Sequence, residues 1–165
     1  MGRDNALRAE TKMEQQTQLS ESYTENEKNE YVRRAHSVGI SIWHFEWVTK
    51  YRYKMYQKFE YCNLMTACIR NMACKHGLKI IVLEVLPEHV HCEVEMSLSL
   101  APSRALQYLK GGSSFLFFEK HPKARLRYPR GHLWSRGKFA ASVGFVQQDV
   151  VTDYIRNQRK HHGLI

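Results

Sequence analysis

The stretch that most constrains this chain is 78–96. A β-branched and apolar run (Leu78–Leu86, LKIIVLEVL), the pair Pro87-Glu88 and an alternating segment (HVHCEVEM) follow one another without interruption. β-Branched side chains lose rotamer freedom in a helix and pack well on a pleated surface. Pro followed by a polar residue closes a tight turn. The segment therefore predicts a strand, a turn and a returning strand whose faces alternate between apolar and polar.

The flanking segments supply the rest of the order. Gly39–Thr49 alternates Ile40, Ile42 and aromatic residues with polar ones and predicts a strand. Gln57–His76 carries Cys62, Met65, Ile69 and Met72 at steps of three and four, the spacing of one helix face, and Gly77 ends it. Pro102 and Ser103 open a second helix with Leu106, Leu109 and Phe117 among its apolar positions, and it stops before His121-Pro122. The pair Gly111-Gly112 inside it has no local rationale, since glycine weakens a helix. His132–Gly144 predicts a fourth strand broken at Gly137, and Val150–Lys160 an amphipathic helix. The order β-α-β-β-α-β plus a helix predicts an α+β, ferredoxin-like fold: an antiparallel four-stranded sheet with two helices on one face and an additional C-terminal helix. Residues 1–30 lack hydrophobic periodicity and read as a polar, mobile extension, so one domain is expected over 31–165.

Charge narrows the partner. Of 25 basic and 16 acidic residues, residues 1–30 hold four and seven, so the remainder carries a strong positive excess within a net +9. A compact domain that basic expects a polyanion, most often nucleic acid. A membrane surface would instead favour one basic amphipathic helix, and here the excess is spread over every kind of segment. No run of about eighteen apolar residues occurs, and Met1–Glu10 has no secretory pattern, so a cytoplasmic protein is expected. The four cysteines form no C-x-x-C pair and read as reduced thiols.

Two local patterns bear chemistry. His89 and His91 lie two apart on a strand, so both imidazoles face one way, which is a natural start for a divalent-metal site. With nine histidines in the chain, such a pair alone does not establish one. Tyr154 and Gln158 lie four apart on the last helix and share a face. A phenol can attack phosphorus, and an amide oxygen can ligate a metal. Alone, that pairing equally suits a half-buried aromatic and a solvated amide.

A His-hydrophobe-His strand followed by a late helix with Tyr-x-x-x-Gln resembles the HUH superfamily of single-stranded-DNA nucleases. Within it the chain resembles the single-tyrosine transposases of small insertion sequences and the REP-associated tyrosine transposases. Trp47–Arg52, Pro87–His91, Leu133–Ser135 and Ser142–Gly144 stand in the matching order, and the resemblance covers roughly 36–162. It implies that His89, His91 and Gln158 hold Mg²⁺ or Mn²⁺, and that Tyr154 attacks the scissile phosphate to give a 5′-phosphotyrosine link. It also implies a homodimer with shared active sites acting on single-stranded DNA with subterminal hairpins at element ends.

The DNA surface is predicted from charge and aromatic content. Lys50, Arg52 and Lys54 interleave with Tyr51 and Tyr53, a mixture that holds phosphates and stacks unpaired bases. Arg125, Arg127 and Arg130 in the following loop, and Arg136 with Lys138, extend it. Three rivals remain. A domesticated nuclease or replication-initiator-like nickase would share the chemistry. A non-catalytic RNA-binding module would display aromatic rings on the two central strands. A two-histidine phosphoesterase would need His-x-Ser/Thr repeats, which this sequence lacks.

Overall fold

The computed structural model describes residues 32–34, 37–144 and 148–163. The expected extension over 1–30 lies outside the described residues. Contacts divide the chain between Gly39 and Ile40. On the N-terminal side, β1 (Val32–Arg34) and β2 (Ser37–Gly39) form a short antiparallel ladder that the sequence patterning does not anticipate.

The larger unit runs β3 (Ile42–Val48), α1 (Phe59–Lys75), β4 (Lys79–Val85), β5 (His89–Glu95), α2 (Pro102–Gln107), α3 (Ser113–Lys120), β6 (Phe139–Ser142), α4 (Gln148–Arg156) and α5 (Gln158–His161). Its strands pair antiparallel in the order β4-β5-β3-β6. The first and third strands in chain order are thus central, the ferredoxin-like arrangement predicted from element order. Among the described residues no helix is long and apolar enough to cross a membrane.

Strand alternation separates two faces. Phe45 and Trp47 of β3, Val90, Cys92 and Val94 of β5, and Leu83 and Val85 of β4 enter one buried cluster with Met65 and Ile69 of α1 and Phe117 of α3. Burying each such side chain contributes roughly 1.5–3 kcal/mol, so this face carries the stability. The opposite face of the central strands holds His44, Glu46, His89, His91 and Glu93, and α4 packs over β4 and β5.

Local chemistry explains the element ends. Gly77 takes φ +63 after α1, which only glycine adopts without strain. Its N–H reaches Cys74 O at 3.2 Å, while Leu78 N–H reaches Ala73 O at 2.9 Å, closing the paired C-terminal bonds of a Schellman motif. Between α2 and α3 the chain makes one wide π turn, Tyr108–Gly112. There a Cβ on Gly112 would collide with the Met72 side chain of α1. The glycine that weakens the helix is what lets it approach α1.

The fourth strand is shorter than the expected 132–144. Trp134 makes an isolated bridge to Thr49, and regular pairing resumes only at Phe139. The intervening loop turns its carbonyls to Lys110, whose Nζ donates to Ser135 O at 2.9 Å and Gly137 O at 3.0 Å.

Candidate active site

The β3–β5 register decides which side chains meet on the polar face. It sets Glu46 opposite His91, His44 opposite Glu93 and Val48 opposite His89. His89 and His91 share that face as their spacing requires, each 3% exposed, with ring centroids 5.1 Å apart. His44, which the sequence does not single out, joins them from the neighbouring strand. Its Nε2 lies 3.3 Å from His91 Nδ1, in hydrogen-bond geometry. Glu88 Oε1 lies 3.3 Å from His89 Nδ1, but that nitrogen makes no hydrogen bond.

These imidazoles are held neutral. Burial disfavours the charged form, and for His91 the nearby His89, His44 and His162 add to it, pushing its pKa down to about 3. Burial also lowers His89 and His44, against the opposing attraction of Glu88 on the former and Glu46 on the latter. A neutral imidazole offers a lone pair at pH 7, which a metal ligand requires.

The last helix reaches this face in two pieces. α4 ends at Arg156, and Asn157 (φ −87, ψ 2) interrupts the single helix expected over 150–160. Hydrogen bonds of helical spacing still meet at the break, with Asn157 N donating to Asp153 O at 3.0 Å and His161 N donating to Asn157 O at 3.1 Å. Tyr154, half exposed, meets both imidazoles edge-on, its ring centroid 6.2 Å from that of His91 and 6.4 Å from that of His44. His162 lies 5.0 Å from His89. Gln158 comes four residues after the first and four before the second. It is 2% exposed and leaves Nε2 without a hydrogen-bond partner. The same Tyr-x-x-x-Gln spacing recurs at Tyr53 and Gln57, but that segment is not helical.

Two polar contacts seat these helices. Thr152 Oγ1 donates to the buried Glu93 Oε2 at 2.6 Å, and Arg159 Nε donates to Glu84 Oε2 at 3.0 Å. Neither is marked by a local pattern, because each joins segments far apart in the chain. Among the described residues no three His, Cys, Asp or Glu side chains form a metal-holding group. A metal held by His89 and His91 would need a further ligand from outside that set, such as the buried amide of Gln158.

The predicted DNA-contacting residues divide. Lys50, Tyr51, Arg130 and Arg136 line a groove of about 940 Å³. Arg136 and Lys138 line a second of about 550 Å³ with Lys110 and Arg104, and Tyr53 and Arg127 join a third of about 480 Å³. Tyr51 stands 67% exposed, with Lys50 Nζ 5.1 Å from its ring, and Arg127 lies 4.8 Å over Tyr53. Tyr51 and Arg52 both have left-handed backbones, φ 62 and φ 51, a conformation that costs a non-glycine residue about 1–2 kcal/mol. Arg52 is drawn to Glu88 at 3.7 Å, Arg125 lies 5.1 Å over Phe118, and Lys54 is exposed but lines none of these grooves. Lys110 and Arg104 were not anticipated.

Comparison with known proteins identifies the family and the fold. The family model described as "Transposase IS200 like" matches residues 37–158. The ISDra2 transposase TnpA of Deinococcus radiodurans is 28% identical over 120 residues, covering 70% of this chain and 82% of that protein. The transposase for insertion sequence element IS200 of Salmonella typhimurium is 25% identical over 124 residues, covering 75% and 80%. A crystal structure assigned as a transposase from Deinococcus radiodurans R1 superimposes with a TM-score of 0.64 at 25% identity, covering 77% of this chain and 97% of that one. A REP-associated tyrosine transposase bound to a REP hairpin gives a TM-score of 0.58 at 18% identity, covering 83% and 76%.

Proposed function

Because the chain belongs to the IS200-like transposase family, we propose that it cuts and rejoins single-stranded DNA with Tyr154 as nucleophile and His89, His91 and Gln158 as ligands of a divalent metal. The observation that carries this reading is the half-exposed phenol of Tyr154 beside His91, which neighbours His89 in a pair of buried, neutral imidazoles, with the buried Gln158 between Tyr154 and His162, whose ring lies near His89. The donor set fits such an ion. His89 and His91 are buried and held neutral, so each offers a ring-nitrogen lone pair, and the buried Gln158 would offer its amide oxygen. Two imidazoles and a neutral oxygen suit Mn²⁺ at least as well as Mg²⁺. When bound, the ion supplies Lewis-acid polarisation of the scissile phosphate.

The chain's own groups account for the transfer. The Tyr154 oxygen forms a bond to phosphorus as the bond from phosphorus to the 3′-oxygen breaks. The phenolic proton is lost and the departing oxygen gains one, leaving a 5′-phosphotyrosine and a 3′-hydroxyl. Attack by a second 3′-hydroxyl reverses these changes and joins a new strand without a further energy source. Lys50, Arg130, Arg136 and Lys138 hold backbone phosphates, and Tyr51 offers a stacking face for an unpaired base. Hairpin DNA is the substrate class we extend to this chain, following the relative bound to a REP hairpin. The site-bearing face of β3 and β5 displays His44, Glu46, His89, His91 and Glu93 and no Phe, Tyr or Trp, and its histidines are buried, which speaks against an RNA-binding module of this topology. A homodimer with shared active sites is also proposed here; within the single chain Tyr154 already lies beside His91.

Tyr154→Phe tests the reading, since it deletes only the hydroxyl. The native protein with Mn²⁺ should form a denaturant-resistant adduct with a 3′-labelled hairpin oligonucleotide. The variant should bind the same oligonucleotide and form none. An adduct persisting in the variant would overturn the assignment of the nucleophile.

A further inference from the structure

The two ligand histidines are oriented alike. His89 turns Nδ1 toward Glu88 and His91 turns Nδ1 toward His44, each at 3.3 Å. The nitrogen left over on both rings is Nε2. For His91 the contact is a hydrogen bond between two rings, and at that separation two N–H groups would clash while two lone pairs would repel. One proton must lie between them, so one ring is the donor.

We propose that His44 is a positioning residue whose bare Nε2 accepts the Nδ1–H of His91, holding that ring in the tautomer that leaves its Nε2 lone pair for a ligand. The opposite assignment, with His44 donating, would place the His91 proton on Nε2 and block it. Ligating imidazoles generally donate their other N–H to a nearby acceptor, which fixes both tautomer and ring orientation. His44 is well placed to be that acceptor. It is 9% exposed on a central strand, and its ring is braced by Phe139 of β6 at 5.5 Å. Its link to His91 lies within the β3–β5 ladder, so it does not depend on the last helix or on DNA. The purpose of this device rests on the metal-site reading, but the tautomer itself can be read in metal-free protein.

The test uses the full ¹⁵N-labelled chain and long-range ¹H–¹⁵N spectra, which distinguish protonated from bare ring nitrogens; His91→Asn assigns the signals. Wild-type His91 should carry its proton on Nδ1. His44→Phe keeps a ring against Phe139 but offers no acceptor, so the preference should vanish and Mn²⁺ affinity should fall about 10–100-fold. His44→Gln, whose side-chain oxygen accepts the same proton, should recover most of both. A wild-type His91 protonated on Nε2 would overturn the proposal. So would a folded His44→Phe with unchanged Mn²⁺ affinity, or a His44→Gln no better than His44→Phe. If His44→Phe does not fold, the wild-type tautomer and His44→Gln decide. Failure of the wild type to bind Mn²⁺ at all would count against the metal site and leave the tautomer result standing.

Discussion

The hydroxyl of Thr152 donates to the Glu93 carboxylate at 2.6 Å in the buried layer between α4 and β5. Thr152 is two residues before Tyr154, and Glu93 is two residues beyond His91. One hydrogen bond therefore registers the helix that carries Tyr154, the proposed nucleophile, against the strand that carries His89 and His91, the proposed ligands.

Thr152→Val keeps the branched shape and removes the donor. Glu93 Oε1 already lacks a partner, so the variant leaves the whole carboxyl group unpaired, at a cost of about 1–3 kcal/mol. Urea denaturation should show that loss, and cleavage should fall more than hairpin binding. Equal stability of the two proteins would mean the bond does not hold the helix.

Glu93 also predicts a pH dependence. Burial raises its pKa, with Thr152 and Arg156 opposing. The folded state then binds a proton more readily than the unfolded state, so stability falls as pH rises from the ordinary carboxyl range through the raised value. Glu93→Gln stays neutral and can still accept from Thr152. Its melting temperature should gain on the wild type as pH increases from 4 to 8, and a constant difference would contradict the shift.

His91 gives the opposite slope. Its folded pKa is depressed to about 3, mainly by burial, so the unfolded chain binds the proton first as pH falls below the ordinary histidine value. Its stabilising contribution is present above about pH 6.5 and is lost progressively toward about pH 3. In metal-free protein, His91→Asn should lose less stability than the wild type over that window. Parallel melting curves against pH would refute this.

The grooves rank the basic residues. Lys50, Arg130 and Arg136 line the largest one, and replacing each by Gln should lower the salt slope of single-strand binding by about 0.7. Lys54→Gln should change it little, since Lys54 lines none of the three. Equal slopes for all four variants would place the DNA elsewhere.

Two adjacent glycines should behave differently. Gly112→Ala meets the Met72 side chain, whereas a Cβ at Gly111 meets nothing within 4 Å. Overpacking costs about 1–3 kcal/mol, while relief of a helical glycine returns roughly 0.5–1 kcal/mol. Thermal melts should therefore move down for Gly112→Ala and level or up for Gly111→Ala. Pairing Gly112→Ala with Met72→Ala should recover part of the loss, as measured against Met72→Ala alone.

Several features were legible in the sequence because they depend on neighbours along the chain. Strand alternation alone puts His89 and His91 on one side of β5, and helical spacing brings Tyr154 and Gln158 toward one side although Asn157 divides their helix. The ferredoxin-like order follows from the succession of periodic segments, and the basic excess from composition. Other features depend on which distant segments lie side by side. His44 and His91 are 47 residues apart and meet only because the β3–β5 ladder adopts one register, set by burying Phe45, Trp47, Val90 and Cys92 on the far face. Gly112 makes sense only once α1 brings Met72 against it. The break expected at Gly137 widens into a loop whose carbonyls, at Ser135 and Gly137, accept from Lys110 of the distant Tyr108–Gly112 turn. Local periodicity sets which way a side chain points, and core packing sets what it meets there. The sequence alone thus singled out the histidine pair and the tyrosine as candidates and fixed which way the two histidines point, while tertiary packing decided that His44, Glu93 and Thr152 would stand beside them.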